Sequence, residues 1–306
     1  VVLDVQVSLQ PRCPAAGPKA HREVVEVSGN PWDIPEWHSI RREVALVRDL
    51  LGSGATALGR AAYANKLGEY YVAFFGLSVG LERLAKLVLV ADYVMANKGK
   101  MPPEAVVREY GHDLVDLIEA VDKAAKRREV NLEYSRPAGP ITAKIIECLD
   151  AFADARRGRY ANFSALGDPR LSNEEPIRRW WAEVAELILK EHYVEKPIQK
   201  TVEQRAQLVD AALSPHARVL HFNEAGDVMQ DVLTASLRTG QSELVQRYGR
   251  YYALTIVRWI AAIFSAVARQ ACDGHKVDAF FGAWEFMDTY TVDDSFLKTR
   301  KVWPLR

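Results

Sequence analysis

FFGLSVGLERLAKLVLVADY, residues 74–93, lies in the stretch that decides the fold. Its apolar residues return every three or four positions, the spacing of one face of an α-helix rather than the alternation of a strand. Followed outward, the pattern runs from about Arg60 to Asn97. The expected core face is Leu67, Tyr71, Phe74, Leu77, Leu81, Leu84, Val88 and Ala91. Gly76 and Gly80 flank Leu77–Val79 and offer close helix packing or a bend. NKGKMPP (Asn97–Pro103), with one glycine and two prolines, stops the helix.

The same period continues on both sides. Downstream, Pro102 and Pro103 open a short helix near Glu104–Arg108, and Gly111 breaks it. His112–Lys126 then carries Leu114, Leu117, Ile118 and Val121 on one face. A polar stretch to Pro140 reads as a loop, Thr142–Ala155 as a helix, and Pro176 opens another to about Tyr193. Thr201–Ala271 reads as further helices, and the tail from Lys276 is aromatic and irregular. Upstream, Ile40, Val44, Val47 and Leu51 are helical from Ser39, and Gly52, Gly54 and Gly59 punctuate the next stretch. The start differs: Val5, Val7 and Leu9 alternate with polar residues, PRCPAAGPK reads as a loop, and His21–Val27 suits a second short strand. The expected class is all-α: an N-terminal β-like arm (1–38), a helical bundle (39–195), and a second helical module with an aromatic tail (196–306). Strand content is expected mainly within the first 30 residues.

Composition narrows the function. Of 306 residues, 49% are hydrophobic and 26% charged, ordinary for a globular chain. Forty basic residues balance forty acidic ones, so nucleic acid or an anionic membrane could be attracted only by a local patch. Cys13, Cys148 and Cys272 are odd in number and far apart, which argues against disulfides or a zinc cage and fits a reducing, cytoplasmic setting. No apolar run approaches about 18 residues. The longest candidate, Tyr251–Ala268, is interrupted by Arg258, and VVLDVQVSLQ lacks a basic leader, so no membrane span or signal segment is expected. There is no phosphate-binding glycine loop, dinucleotide fingerprint, H-E-x-x-H or G-x-S-x-G, and no cofactor is expected. His216, His221, Glu224 and Asp227 do not have metal-ligand offsets, so no metal is expected either.

Four segments occur in a familiar order: Phe74–Tyr93, the Pro102-Pro103 stop, YGHDLVDLIEAV (Tyr110–Val121), and GRYANF (Gly158–Phe163). This order resembles the HEPN superfamily of bacterial toxins, abortive-infection proteins and RNA-processing factors. Gly80-Leu81-Glu82-Arg83-Leu84, Lys86, Gly111-His112-Asp113-Leu114, Arg159, Tyr160 and Asn162 carry the match, which spans about Leu58 to Tyr193, under half the chain. The resemblance implies a small helical bundle that forms a homodimer. In active members it implies a metal-independent ribonuclease, in which an Arg holds the phosphate and a nearby His moves the proton. This sequence departs from the pattern. No His follows Arg156, Arg157 or Arg159 within six residues, and Asn162, which cannot titrate, stands in its place.

Several residues therefore have two readings. His112 either belongs to the cap of the following helix as a half-buried side chain, with Asp113, or approaches Arg159 and supplies the missing proton carrier. Glu82 and Lys86 are spaced to pair on one helical face, or Arg83 or Lys86 turns into a phosphate-holding cleft. Arg156, Arg157 and Arg159 with Tyr160 and Phe163 suit single-stranded RNA, charge for phosphates and rings for bases, or form a solvated cluster. Of Trp180 and Trp181, about 100° apart on a helix, one is expected to be deeply buried. The leading function is an RNA- or nucleotide-directed protein of a defence or toxin–antitoxin system. Arg159, Asn162 and His112 are its candidate catalytic residues, and Arg156, Arg157, Tyr160 and Lys86 its nucleic-acid contacts. The alternatives are a non-catalytic module that binds a protein partner, and a bundle holding a small ligand between helices.

Overall fold

The computed structural model of the chain describes residues 30–64, 66–153 and 175–304. The N-terminal strands expected in 1–29 lie outside these residues. The fold among the described residues is all-α. Its helices are α1 (Pro35–Leu58), α2 (Leu67–Ala96), α3 (Glu104–Glu109), α4 (Leu114–Arg127), α5 (Pro140–Ala153), α6 (Pro176–Trp180), α7 (Glu186–His192), α8 (Pro197–Leu213), α9 (Val232–Arg269) and α10 (Asp294–Thr299). A π-helical turn, Trp181–Ala185, joins α6 to α7 without a break.

The helix α1 begins at Pro35, four residues before the expected start at Ser39, because proline suits the first helical position. It also runs through Gly52 and Gly54 to Leu58. Those two glycines do not interrupt it because each faces a neighbour that leaves no room for a side chain. A Cβ on Gly54 would lie 2.8 Å from the Leu77 nitrogen, and one on Gly76 would lie 2.7 Å from the Leu50 carbonyl oxygen and 2.9 Å from the Gly54 Cα. So α1 and α2 cross backbone against backbone, the close approach that only glycine allows.

Phe74, Leu77, Leu81, Leu84, Val88 and Ala91 are buried on α2, as the period predicts. Leu67 and Tyr71 are exposed instead, and Tyr70 and Ala73 are buried in that first turn. The buried stripe of α2 is shifted there because α6 and the π-turn approach from the Tyr70 side, where Trp181 Nε1 donates to the Tyr70 hydroxyl at 2.9 Å. One hydrophobic cluster runs from Ile40 to Trp303 and includes residues on both sides of position 195. The helix α9 is its longest member, at 38 residues, and it packs against α1, α2, α4 and α5.

The only paired strands among the described residues are His221–Phe222 and Val228–Met229, an antiparallel hairpin inside the stretch read as helical. Gly226, at φ +87°, makes its turn, and the Asn223 side chain accepts from the Ala225 and Asp227 amides. The period does not reveal the hairpin, because a two-residue strand is too short to have one. Both tryptophans of the Trp180-Trp181 pair are buried, not one. Their helix lies between α2 and α9, so both of its flanks are covered: Trp180 meets Phe74, and Arg238 of α9 stacks 3.5 Å over Trp181. Arg258 does not keep its segment short of membrane-spanning character. By length and composition Val232–Gly274 could cross a membrane, but 72% of its apolar window is buried within the fold.

The glycine crossing predicts a contrast between two similar substitutions. Gly76→Ala should destabilise the chain by about 1–3 kcal/mol through overpacking. Gly68→Ala, in the open first turn of α2, should be neutral or stabilising by up to about 1 kcal/mol. Chemical denaturation of the two variants against the parent checks this. In the same experiment Leu84→Ala, at a fully buried position, should cost about 2–5 kcal/mol.

Candidate functional site

His112 stands in the turn between α3 and α4. Gly111 makes that turn at φ +72°, a conformation that favours glycine. The Asp113 side chain accepts from the Asp116 amide at 3.0 Å and is the cap of α4. Asp150, in the last turn of α5, accepts from the Leu114 amide at 2.8 Å, so a second donor at the head of α4 is also filled. His112 takes no part in capping, and it is not half-buried: its side chain is 82% exposed. Its Nδ1 lies 2.9 Å from Glu82 Oε1. A carboxylate only accepts, so Nδ1 is the donor and the tautomer is fixed, leaving Nε2 open toward solvent.

Glu82 and Lys86 are one turn apart on α2, and both are only 17% exposed. The Lys86 ammonium donates to the same Glu82 oxygen at 2.8 Å, so the expected Glu82–Lys86 pair forms, and His112 joins it at that oxygen, a contact the sequence did not suggest. Arg83 points elsewhere, to Glu43 of α1 at 2.5 Å. The arrangement is thus an imidazole oriented by a carboxylate, with an ammonium beside it. An oriented imidazole with a free nitrogen can take or give a proton, and a neighbouring cation can neutralise an anionic oxygen. Arg156, Arg157, Arg159, Tyr160 and Asn162 lie outside the described residues.

No group of three or more metal-ligating side chains occurs among the described residues. The histidine–acid cluster of the hairpin is used otherwise. Glu224 is buried, accepts from Arg238 Nε at 2.7 Å and from the Ser242 hydroxyl at 3.0 Å, and so ties the hairpin to α9. Asp227 accepts from the Asn223 side chain. Cys148 and Cys272 are buried thiols, each pushed up to about 12, mainly by burial.

Sequence reasoning does not reach two polar clusters along α9. In the first, Arg258 lies 4.0 Å over the Tyr134 ring and donates to the Val292 carbonyl and, at 2.7 Å, to Asp294. Tyr251 donates to the other Asp294 oxygen at 2.8 Å. Burial works to raise the Asp294 carboxyl, but the hydrogen bonds from Tyr251 and Arg258 outweigh it and hold the group below the usual carboxylate range. The one available signal was Arg258 itself, a lone charge in an apolar run. In the second cluster, His192 at the end of α7 stacks flat on Tyr248, with centroids 3.6 Å apart, and its Nε2 is 2.9 Å from the Tyr252 hydroxyl. Set against protein-family models, curated proteins and solved structures, the chain matches none of them.

Burial has measurable consequences at His192 and at the two thiols. Burial, helped by Lys196 and Lys298 and opposed by Glu191, holds the His192 imidazole below its ordinary value. As pH falls below about 6.5, the unfolded chain takes up this proton before the folded one. The stability His192 contributes is therefore complete above that pH and drains away as pH falls through the folded-state value. Denaturant midpoints measured from neutral to mildly acidic pH should decline less steeply for His192→Gln than for the parent. Separately, a thiol-specific reagent at neutral pH should leave Cys148 and Cys272 unmodified in the folded chain and label both in denaturant, read by peptide mass.

Proposed function

We propose that the chain is an RNA-directed protein that cleaves single-stranded RNA without a metal, with His112 as proton carrier. The observation that carries this reading is the Glu82–His112 contact, in which Nδ1 donates to the carboxylate oxygen that Lys86 also reaches and the exposed ring keeps Nε2 for a substrate. Lys86 supplies charge for a phosphate. A second support is Asp150, bonded to the Leu114 amide, because the arginine-rich segment begins six residues after it at Arg156. The chain path thus leaves α5 next to the turn that carries His112. In this scheme Arg159 holds the scissile phosphate, Asn162 positions it, and Arg156, Arg157 and Tyr160 grip the strand. His112 supplies the titrating group that Asn162 lacks. The HEPN resemblance adds a homodimer and a defence or toxin setting in the cytoplasm to the same proposal.

The test is cleavage of an end-labelled single-stranded RNA in excess chelator. The parent should cleave, Arg159→Ala should not, and His112→Ala should be slower by about 10²–10⁴-fold with an unchanged melting temperature. Glu82→Gln keeps the shape but no longer fixes the tautomer, and it should fall between parent and His112→Ala. Equal rates for parent and His112→Ala would remove His112 from the chemistry.

A different set of residues favours a second reading, a non-catalytic interaction module. Leu208 and Leu213 of α8, Leu220 before the hairpin and Phe222 within it are all exposed large apolar side chains. Where such side chains form one contiguous patch they mark a protein-binding surface. A parent that leaves RNA intact but loses self-association or partner capture on Leu208→Glu would support this reading over the first.

A further inference from the structure

A cavity of about 420 Å³ lies between α4 and α5, under the loop that leads to Pro140. Its inner wall is apolar: Ile118 of α4, Ile146 of α5, and Ile256 and Trp259 of α9. The volume falls in the range of small-molecule sites, and the setting, between helices of a bundle, is where such sites form. It shares no lining residue with the Glu82–His112 cluster.

Polar groups complete the lining. Thr142, in the first turn of α5, lines the cavity and is only 4% exposed. Its hydroxyl has no hydrogen-bond partner among the described residues. It is also not among the side-chain atoms sealed from solvent without a partner, so the cavity is what it faces. The α5 start is built the same way. Gly139 precedes Pro140 and has no side chain with which to cap the helix, and the Ile141 and Thr142 amides donate to nothing among the described residues. A helix of 14 residues therefore presents its positive end, without a cap among the described residues, beside that hydroxyl.

Arg136 also lines the cavity, its guanidinium 5.5 Å over the Trp259 ring. It is held by Glu119 and lies 3.6 Å from Asp122, which uses some of its five N–H donors and leaves others. Its hydrogen bond to Glu119 strengthens its hold on the proton and outweighs the opposing effect of burial, so Arg136 stays a cation.

We propose that this cavity is a binding site for a small carboxylic acid with a flat apolar body. The body lies against Ile118, Ile146 and Ile256, with the edge of Trp259 beside it. The carboxylate accepts from the Thr142 hydroxyl, the free amides of the first turn of α5 and Arg136. Charge on the ligand is required, because the donors are a helix N-terminus and a guanidinium. Bulk is limited to one ring or two by the wall of α9. Glu119 beside Arg136 disfavours ligands with more than one negative charge, which sets a monocarboxylate apart from a phosphate.

The full chain is titrated with phenylacetate by calorimetry, with phenylacetamide, its neutral isostere, and inorganic phosphate in parallel. Phenylacetate should bind saturably at one site per chain, and the amide and phosphate at least about tenfold more weakly. Thr142→Val keeps the shape and removes the hydroxyl. It should weaken phenylacetate by about tenfold while melting at the temperature of the parent. Arg136→Gln should weaken phenylacetate and leave phenylacetamide unchanged. The proposal is overturned if the parent shows no saturable binding at millimolar phenylacetate, if the amide binds as tightly, or if Thr142→Val binds like the parent.

Discussion

Everything in this fold depends on how closely α1 and α2 approach. At Gly54 and Gly76 the two backbones touch with no side chain between them, a contact any Cβ would block at under 3 Å. The helix α9 packs against both members of this crossing and gives the remaining core its largest single share. Leu51 then lies against Gly80, and Trp303 and Pro304 settle onto Gly52. The arrangement resists small adjustments, because close-packed backbones cannot shift by a fraction of a side chain without opening a void.

The helix α9 shows how charges are accommodated around that core. Arg238 and Arg258 reach carboxylates, Glu224 and Asp294, and both also lie over an aromatic ring. Arg250 is different. It is 3% exposed, lies against the backbone of Gly59 at the end of α1, and donates to the Lys298 carbonyl at 3.3 Å, while its Nε has no partner. Its counter-charge is the negative end of α1, where carbonyl groups run out of helical donors. Burial, with Arg247 nearby, lowers its hold on the proton, and that cost is the reason a buried arginine without a carboxylate is uncommon.

The helices were legible wherever an apolar period ran long. The α2 core face from Phe74 to Ala91, the stop at Asn97–Pro103 and the proline starts all follow from residue type and spacing. Three things were not. Glycines at positions 52 and 54 read as breaks because their purpose depends on a partner helix that no local window contains. The hairpin at His221–Met229 is too short to have a period. At the site, the glutamate–lysine pair could be read from one turn of helix, but the Glu82–His112 contact joins positions thirty apart and depends on how α4 packs on α2. The arginine segment that the resemblance singles out lies outside the described residues, and the bond from the Leu114 amide to Asp150, thirty-six positions apart, is another contact no local window contains.

The seating of Trp303 on α1 has a consequence for biosynthesis. The Thr56 hydroxyl exchanges hydrogen bonds with the Trp303 backbone across 247 positions of sequence. At translation rates of roughly 5–20 residues per second, the two are made ~12–50 s apart. Throughout that interval the segment that covers Gly52 in the folded chain has not yet been made, so this face of α1 can reach its native packing only when synthesis is nearly finished.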